Sequence, residues 1–168
     1  MDWQRQHTAL FFSANVVVDL DKTKAASITG KVSNFAVLIG GNADDTLTGN
    51  AKTGTVIGGG KDILVGGSVP DILIGGAGAD TIAGGANEDV LIGGATTHDG
   101  HASALASLLA EWTSSRSYND RVANLRGTGI GDRANGDVFL QNAPTDTLFD
   151  DAGKQRDDVG EFAPQSRL

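Results

Sequence analysis

Between residues 40 and 94 the apolar and polar positions follow a period that neither a helix nor an ordinary strand has. An apolar residue recurs about every nine positions, at Leu47, Val56, Leu64, Leu73, Ile82 and Leu91. Two residues before each stands an aspartate, at Asp45, Asp62, Asp71, Asp80 and Asp89, with Gly54 as the exception. Glycine doublets open most units: Gly40/Gly41, Gly58/Gly59, Gly66/Gly67, Gly75/Gly76, Gly84/Gly85 and Gly93/Gly94. A fixed period governs the fold and is read before any other feature. Each unit divides into a glycine-rich turn and a short apolar strand. Glycine accepts positive φ without a Cβ penalty, so the turns can be tight.

The flanks carry other patterns. Val16-Val17-Val18 is β-branched and leads into the turn Asp19-Leu20-Asp21-Lys22. Ile28 to Lys31 and Phe35-Ala36-Val37-Leu38-Ile39 continue as strands, and the last runs into Gly40 as a first rung. After the repeats, Asp99 is placed to cap a helix over His101 to Thr113. Leu105, Leu108, Leu109 and Trp112 form its apolar stripe. A second helix is expected from Tyr118 to Arg126. Ser117 and Asp120 resemble a capping box, Gly127 is the stop, and Tyr118, Val122 and Leu125 are the stripe. Arg116, Arg121 and Arg126 read as a solvated face. Residues 127–137 are loop, residues 138–141 and 147–149 read as strands, and the tail from Ala152 as mobile.

The repeat units run Gly40–Thr48, Gly49–Ile57, Gly58–Val65, Gly66–Ile74, Gly75–Ala83 and Gly84–Ile92, the third being one residue short. They resemble the nonapeptide G-G-x-G-x-D-x-U-x of RTX, or hemolysin-type, calcium-binding proteins. Gly75–Ala83 matches that pattern in full. The block from Glu111-Trp112-Thr113 through Tyr118, Arg121-Val122 and Leu148-Phe149-Asp150-Asp151 resembles the segment that follows such arrays in large bacterial exoproteins. The resemblance implies a mainly β fold: a right-handed parallel β-roll, or β-solenoid, with a β lead-in and a small α/β C-terminal cap. The corresponding domains are residues 1–39, 40–94 and 95–168. It also implies bound Ca2+ and a secreted, extracellular or cell-surface setting.

Strand side chains alternate, so the central residue of each three-residue strand faces inward and its neighbours outward. Two units make one coil, and coils stack at about 4.8 Å. Aspartates one coil apart then lie above one another, pairing Asp62 with Asp80, Asp71 with Asp89, and less regularly Asp45 with Asp62 across the short unit. Ca2+ takes six to eight oxygens in irregular geometry, which such a slot offers. The family's arrangement implies that backbone carbonyls complete each site: Gly58, Gly60, Gly76 and Gly78 for one slot, and Gly66, Gly85 and Asn87 for the other. Asn87 replaces a glycine and tolerates the left-handed region. The competing reading of each aspartate is an ordinary turn residue bonded to its own backbone.

The outward positions differ between the two faces. Thr46, Thr48, Ile63, Val65, Thr81 and Ala83 form a mixed face. Thr55, Ile57, Ile72, Ile74, Val90 and Ile92 form one too apolar to remain wet. The first helix can cover that face, close the end of the roll, or bind a partner.

Composition narrows the function. The chain has 168 residues, 24 glycines, three prolines, no cysteine and a net charge of −8. Acidity argues against nucleic acid, which calls for a basic stripe. Lack of cysteine excludes disulfides and zinc–thiolate sites. Asp2 and a short apolar run make the N-terminus unlike a classical signal peptide, and no stretch approaches a membrane span. His7, His98 and His101 are the only histidines, and no hydrolase, zincin or phosphate-loop motif is present. The sequence is therefore read as a non-enzymatic, calcium-binding structural module of a secreted bacterial protein, with a parent exoprotein or cell-surface partner. The alternatives are a degenerate, calcium-independent solenoid acting as spacer or adhesion module, and a hydrolase fragment.

Overall fold

The computed structural model describes residues 17–19, 24–25, 36–40, 42–51 and 53–140. Nine short strands and two helices are found among them. The strands are β1 (Val17–Asp19), β2 (Lys24–Ala25), β3 (Val37–Ile39), β4 (Thr46–Thr48), β5 (Thr55–Ile57), β6 (Ile63–Val65), β7 (Ile72–Ile74), β8 (Thr81–Ala83) and β9 (Val90–Ile92). The helices are α1 (Ala102–Trp112) and α2 (Tyr118–Leu125).

From β2 onward, successive strands alternate between two sheets, the signature of a solenoid. One sheet has the order β3-β5-β7-β9, the other β2-β1-β4-β6-β8. Every pairing is parallel except β1 with β2. The result is a mainly β solenoid of about three turns with two short helices after it. The lead-in is part of the stack: β1 pairs with β4, and β3 is the first rung of the other sheet.

Register survives the short unit. Val37 pairs with Thr55 and Ile72 with Val90, eighteen residues on, whereas Thr55 pairs with Ile72, seventeen on. The second sheet does the same, with Thr46 opposite Ile63 and Ile63 opposite Thr81. The missing residue is therefore taken out of the turn before β6. The ladder continues past each strand: Gly40 N–H donates to Ile57 O, Gly58 N–H to Ile74 O and Gly75 N–H to Ile92 O, each at 2.8 Å.

Two apolar layers follow from the alternation of side chains. Leu38, Val56, Leu73 and Leu91 from one sheet meet Leu47 and Leu64 from the other, all buried inside the roll. Ile82, in the last rung, is half-buried. The second layer lies outside the roll, where Ile57, Ile72, Ile74, Val90 and Ile92 are buried beneath Leu105, Leu108, Trp112 and Leu125. Fully burying a side chain of this size contributes about 1.5–3 kcal/mol relative to leaving it wet. The apolar face is thus covered by α1 and α2 of the same chain. The mixed face stays open: Ile63, Thr81 and Ala83 are exposed.

Three expectations need correction. Asp99 does not cap α1. Its carboxylate accepts from the N–H and Oγ1 of Thr96, closing a tight turn, and His101 takes the N-cap position without a side-chain bond. Arg121 is not on a solvated face, because its guanidinium is drawn onto Trp112 and Glu88. Residues 138–140 form no strand; their backbone follows α2 instead, with Leu140 N–H donating to Leu125 O at 2.7 Å. Ser117 does cap α2, accepting from Asp120 N–H, and Gly127 follows it at φ +73°. The strands expected at 28–31 and 147–149 and the tail lie outside the described residues.

Candidate metal centre

The aspartates form two columns at the roll's edges, each residue at the foot of a strand. Strand pairing fixes their height, and the backbone bonds fix their orientation. Asp45 N–H donates to Asp62 Oδ1 at 2.7 Å, and Asp62 N–H to Asp80 Oδ1 at 2.8 Å. On the opposite edge Asp71 N–H donates to Asp89 Oδ1 at 2.9 Å. Each of these aspartates also uses its carbonyl upward, to Ile63, Thr81 and Val90 N–H respectively. Asp45, Asp62, Asp71, Asp80 and Asp89 are all buried.

The geometry therefore brings together Asp62 with Asp80 and Asp71 with Asp89. It also joins Asp45 to Asp62 by the same bond, since the shortened turn keeps the register despite the seventeen-residue step. The glycines open room for the carboxylates. A Cβ at Gly58, Gly75 or Gly84 would overlap Oδ2 of Asp62, Asp80 or Asp89, and one at Gly66 would overlap Gly84 O.

The turn backbone is uneven. Gly76, Gly78, Gly85 and Asn87 have φ of +86°, +123°, +102° and +79°. These are the second and fourth positions of the last two units, one on each edge. Asn87 takes the left-handed conformation in place of glycine, and its Nδ2 donates to Ser68 O at 2.8 Å. Gly60 behaves differently. In the short unit it is the third residue, and its N–H turns inward to Asp62 Oδ2 at 3.0 Å, beside Gly59 N–H at 2.6 Å.

Gly54 occupies the aspartate position of the second unit. A Cβ there would overlap Leu109 Cδ2. The helix edge gives up a carboxylate where α1 crosses the roll, an exchange of one potential ligand for apolar contact.

The residues fit a hard, oxygen-seeking cation. Asp71 is fully buried, its Oδ2 accepts from Gly67 N–H at 2.6 Å, and its Oδ1 has no hydrogen-bond partner among the described residues. Burial pushes its carboxyl up from 3.8 to about 7; the Gly67 N–H pulls it down, and the negative charge of Asp89 adds to the rise. A buried carboxylate facing another is stable as an anion only with a compensating positive charge. Among the described residues no three His, Asp or Glu side chains converge. A cation here would thus draw much of its shell from backbone carbonyls, which suits Ca2+ better than Zn2+.

Sequence reasoning gave Glu88 and Glu111 no role at the site and placed Leu109 only in the apolar stripe of α1. Glu88 belongs to the turn before β9, and Leu109 reaches Gly54 from outside the roll. Glu111 is buried and joins α1 to Asn124, Ala134 N–H and Arg116. A carboxylate in the last turn of an apolar helix carries no local signal for that role.

Comparison with known proteins agrees with the repeat geometry. Residues 65–96 match the family described as the RTX calcium-binding nonapeptide repeat, in four copies. Neither the curated proteins nor the solved structures give a match. The matched stretch holds both left-handed turns and three of the five column aspartates, and it is an array of RTX calcium-binding nonapeptide repeats.

Proposed function

We propose that this chain is a calcium-binding structural module of a secreted bacterial protein, stabilised by Ca2+ held between stacked turns. The observation that carries the reading is Asp71. Its buried Oδ1 has no hydrogen-bond partner among the described residues, and the negative charge of Asp89 stands one coil step away. The RTX repeat family is structural rather than catalytic, and we assign no enzymatic role.

The proposed ligands are Asp62 and Asp80 with carbonyls of Gly58, Gly60, Gly76 and Gly78 on one edge. On the other they are Asp71 and Asp89 with carbonyls of Gly66, Gly85 and Asn87. Asp45 with Asp62 forms a third, weaker candidate. Bound calcium supplies a double positive charge that offsets the facing carboxylates. The chain's own residues do the rest. The glycines let carboxylate and carbonyl oxygens approach closely, and the left-handed positions turn the last two loops. The strand ladders hold successive aspartates in register.

In calcium-free protein the paired carboxylates repel, and the solenoid is held by its two apolar layers. Ligand that binds only the folded state adds stability by mass action. We take residues 40–94 as the repeat unit, 1–39 as its lead-in and 95–168 as its cap. The extracellular or cell-surface setting and a parent exoprotein as partner follow from the family's usual occurrence.

One observation favours a second reading. Asp62 already accepts from three backbone N–H groups, of Asp45, Gly59 and Gly60, and so is satisfied without an ion. A calcium-independent solenoid acting as a spacer would need only that. Metal analysis of the purified protein, with circular-dichroism melts in calcium and in EDTA, separates the two. Calcium should co-purify and raise the melting temperature; an identical melt in EDTA would sink the calcium reading.

A further inference from the structure

The turn at residues 84–89 is held from outside the roll as well as from within it. The peptide joining Glu88 to Asp89 carries the Glu88 carbonyl and the Asp89 N–H. Trp112 Nε1 donates to that carbonyl at 2.8 Å. Arg121 Nη2 donates to Glu88 Oε2 at 2.6 Å, and its Nη1 to Trp112 O at 2.7 Å. The same guanidinium lies 4.7 Å from the centre of the Trp112 ring. α1 therefore grips the peptide that precedes Asp89 through Trp112, and α2 holds the Glu88 side chain and braces Trp112 through Arg121. Trp112 is fully buried, so its indole cannot swing away without undocking α1.

The opposite edge is built differently. The backbone of turn 75–80 bonds to the roll, with Gly75 N–H on Ile92 O and Gly76 N–H on Gly94 O. The strand that follows it, β8, has exposed outward side chains, whereas Val90 and Ile92 of β9 lie under the helices.

We propose that Trp112 and Arg121 are positioning residues for the Asp71/Asp89 slot. The helical cap pre-orders this slot for a divalent cation and is energetically coupled to it, while the Asp62/Asp80 slot is independent of the cap. The inference rests on the calcium reading above. A group already held in place loses less freedom on binding. Coupling is reciprocal, so an ion in this slot also tightens cap docking. The Glu88–Arg121 ion pair alone is exposed and weak; the indole bond to the backbone carries the constraint.

The test uses the full chain and calcium chloride titrations by calorimetry in two backgrounds. Asp80→Asn leaves the helix-side slot, and Asp89→Asn leaves the other. Trp112→Phe removes the N–H donor and keeps an aromatic ring; Arg121→Gln opens the clamp at a partly exposed position. Either should weaken calcium binding in the Asp80→Asn background by roughly three- to tenfold, as for loss of one hydrogen bond. In the Asp89→Asn background the change should stay below about twofold, as for independent sites. The chain's tryptophans are Trp3 and Trp112. With Trp3→Phe, calcium should shift Trp112 emission in the Asp80→Asn background and not in the Asp89→Asn background. Equal losses in both backgrounds, or no loss in the first, would overturn the coupling alone. A chain that binds no calcium in any background overturns the calcium reading and the coupling with it.

Discussion

The N–H of Asp62 donates to Oδ1 of Asp80 at 2.8 Å, so the aspartate of one coil orients the carboxylate of the next. This bond separates two roles of Asp80 that a single substitution can distinguish. Asp80→Asn keeps the Oδ1 acceptor and loses the charge. Calcium-free stability should change little, while the calcium-induced rise in melting temperature should shrink markedly. Asp80→Ala should also destabilise the calcium-free form, by about 1–3 kcal/mol, because Asp62 N–H is left buried without an acceptor. Paired melts of the two variants, in calcium and in EDTA, measure both effects.

Gly54→Asp restores the repeat consensus and should nevertheless destabilise the protein. Its Cβ would overlap Leu109 Cδ2. Overpacking of this kind costs about 1–3 kcal/mol. Leu109→Ala should recover part of the loss in the double variant, giving a favourable coupling in a urea-denaturation cycle. Additive losses would show that Leu109 is not the obstacle.

Asn87 holds φ +79° among turns otherwise served by glycine. Asn87→Ala should cost about 1–2 kcal/mol, the left-handed penalty for a residue with a Cβ and no compensating side-chain bond. Asn87→Gly should be nearly neutral. Equilibrium unfolding in urea ranks the three proteins, and equal stability of the alanine and glycine variants would refute the strain argument.

The buried Asp71 carboxyl sets a pH dependence in EDTA. Its pKa in the folded chain is raised from 3.8 to about 7, chiefly by burial. Between those values the folded state holds a proton that the unfolded state has lost. The Asp71 contribution to stability is therefore fully present below pH 3.8 and is lost as pH rises to about 7. Asp71→Asn should flatten that part of the stability–pH curve. A curve of unchanged shape in the variant would assign the pH dependence elsewhere.

Much of this architecture is legible in residues close together in the chain. The period from Leu47 to Leu91 sets the inner rungs, and the aspartates two residues earlier set the edge columns, because both follow from alternation within a short strand. The excess of apolar side chains at Ile72, Ile74, Val90 and Ile92 announces a covered face. Ser117 and Gly127 mark the ends of α2 for equally local reasons.

The remainder is decided by contacts between distant parts of the chain. Arg121 has the spacing of a solvated residue, and only the docking of α2 brings it onto Trp112 and Glu88. Gly54 looks like a lapse in the repeat until Leu109 is seen in the space an aspartate would fill. The short unit before β6 suggests a disturbed Asp45–Asp62 step, yet the parallel ladder forces the turn to absorb the missing residue. The sequence by itself determined the repeating rung and its aspartate columns, because a nine-residue unit closes its own turn and strand. Tertiary structure alone decided which edge the helices grip, because that depends on how the outer face of β5, β7 and β9 and the apolar stripes of α1 and α2 fit together.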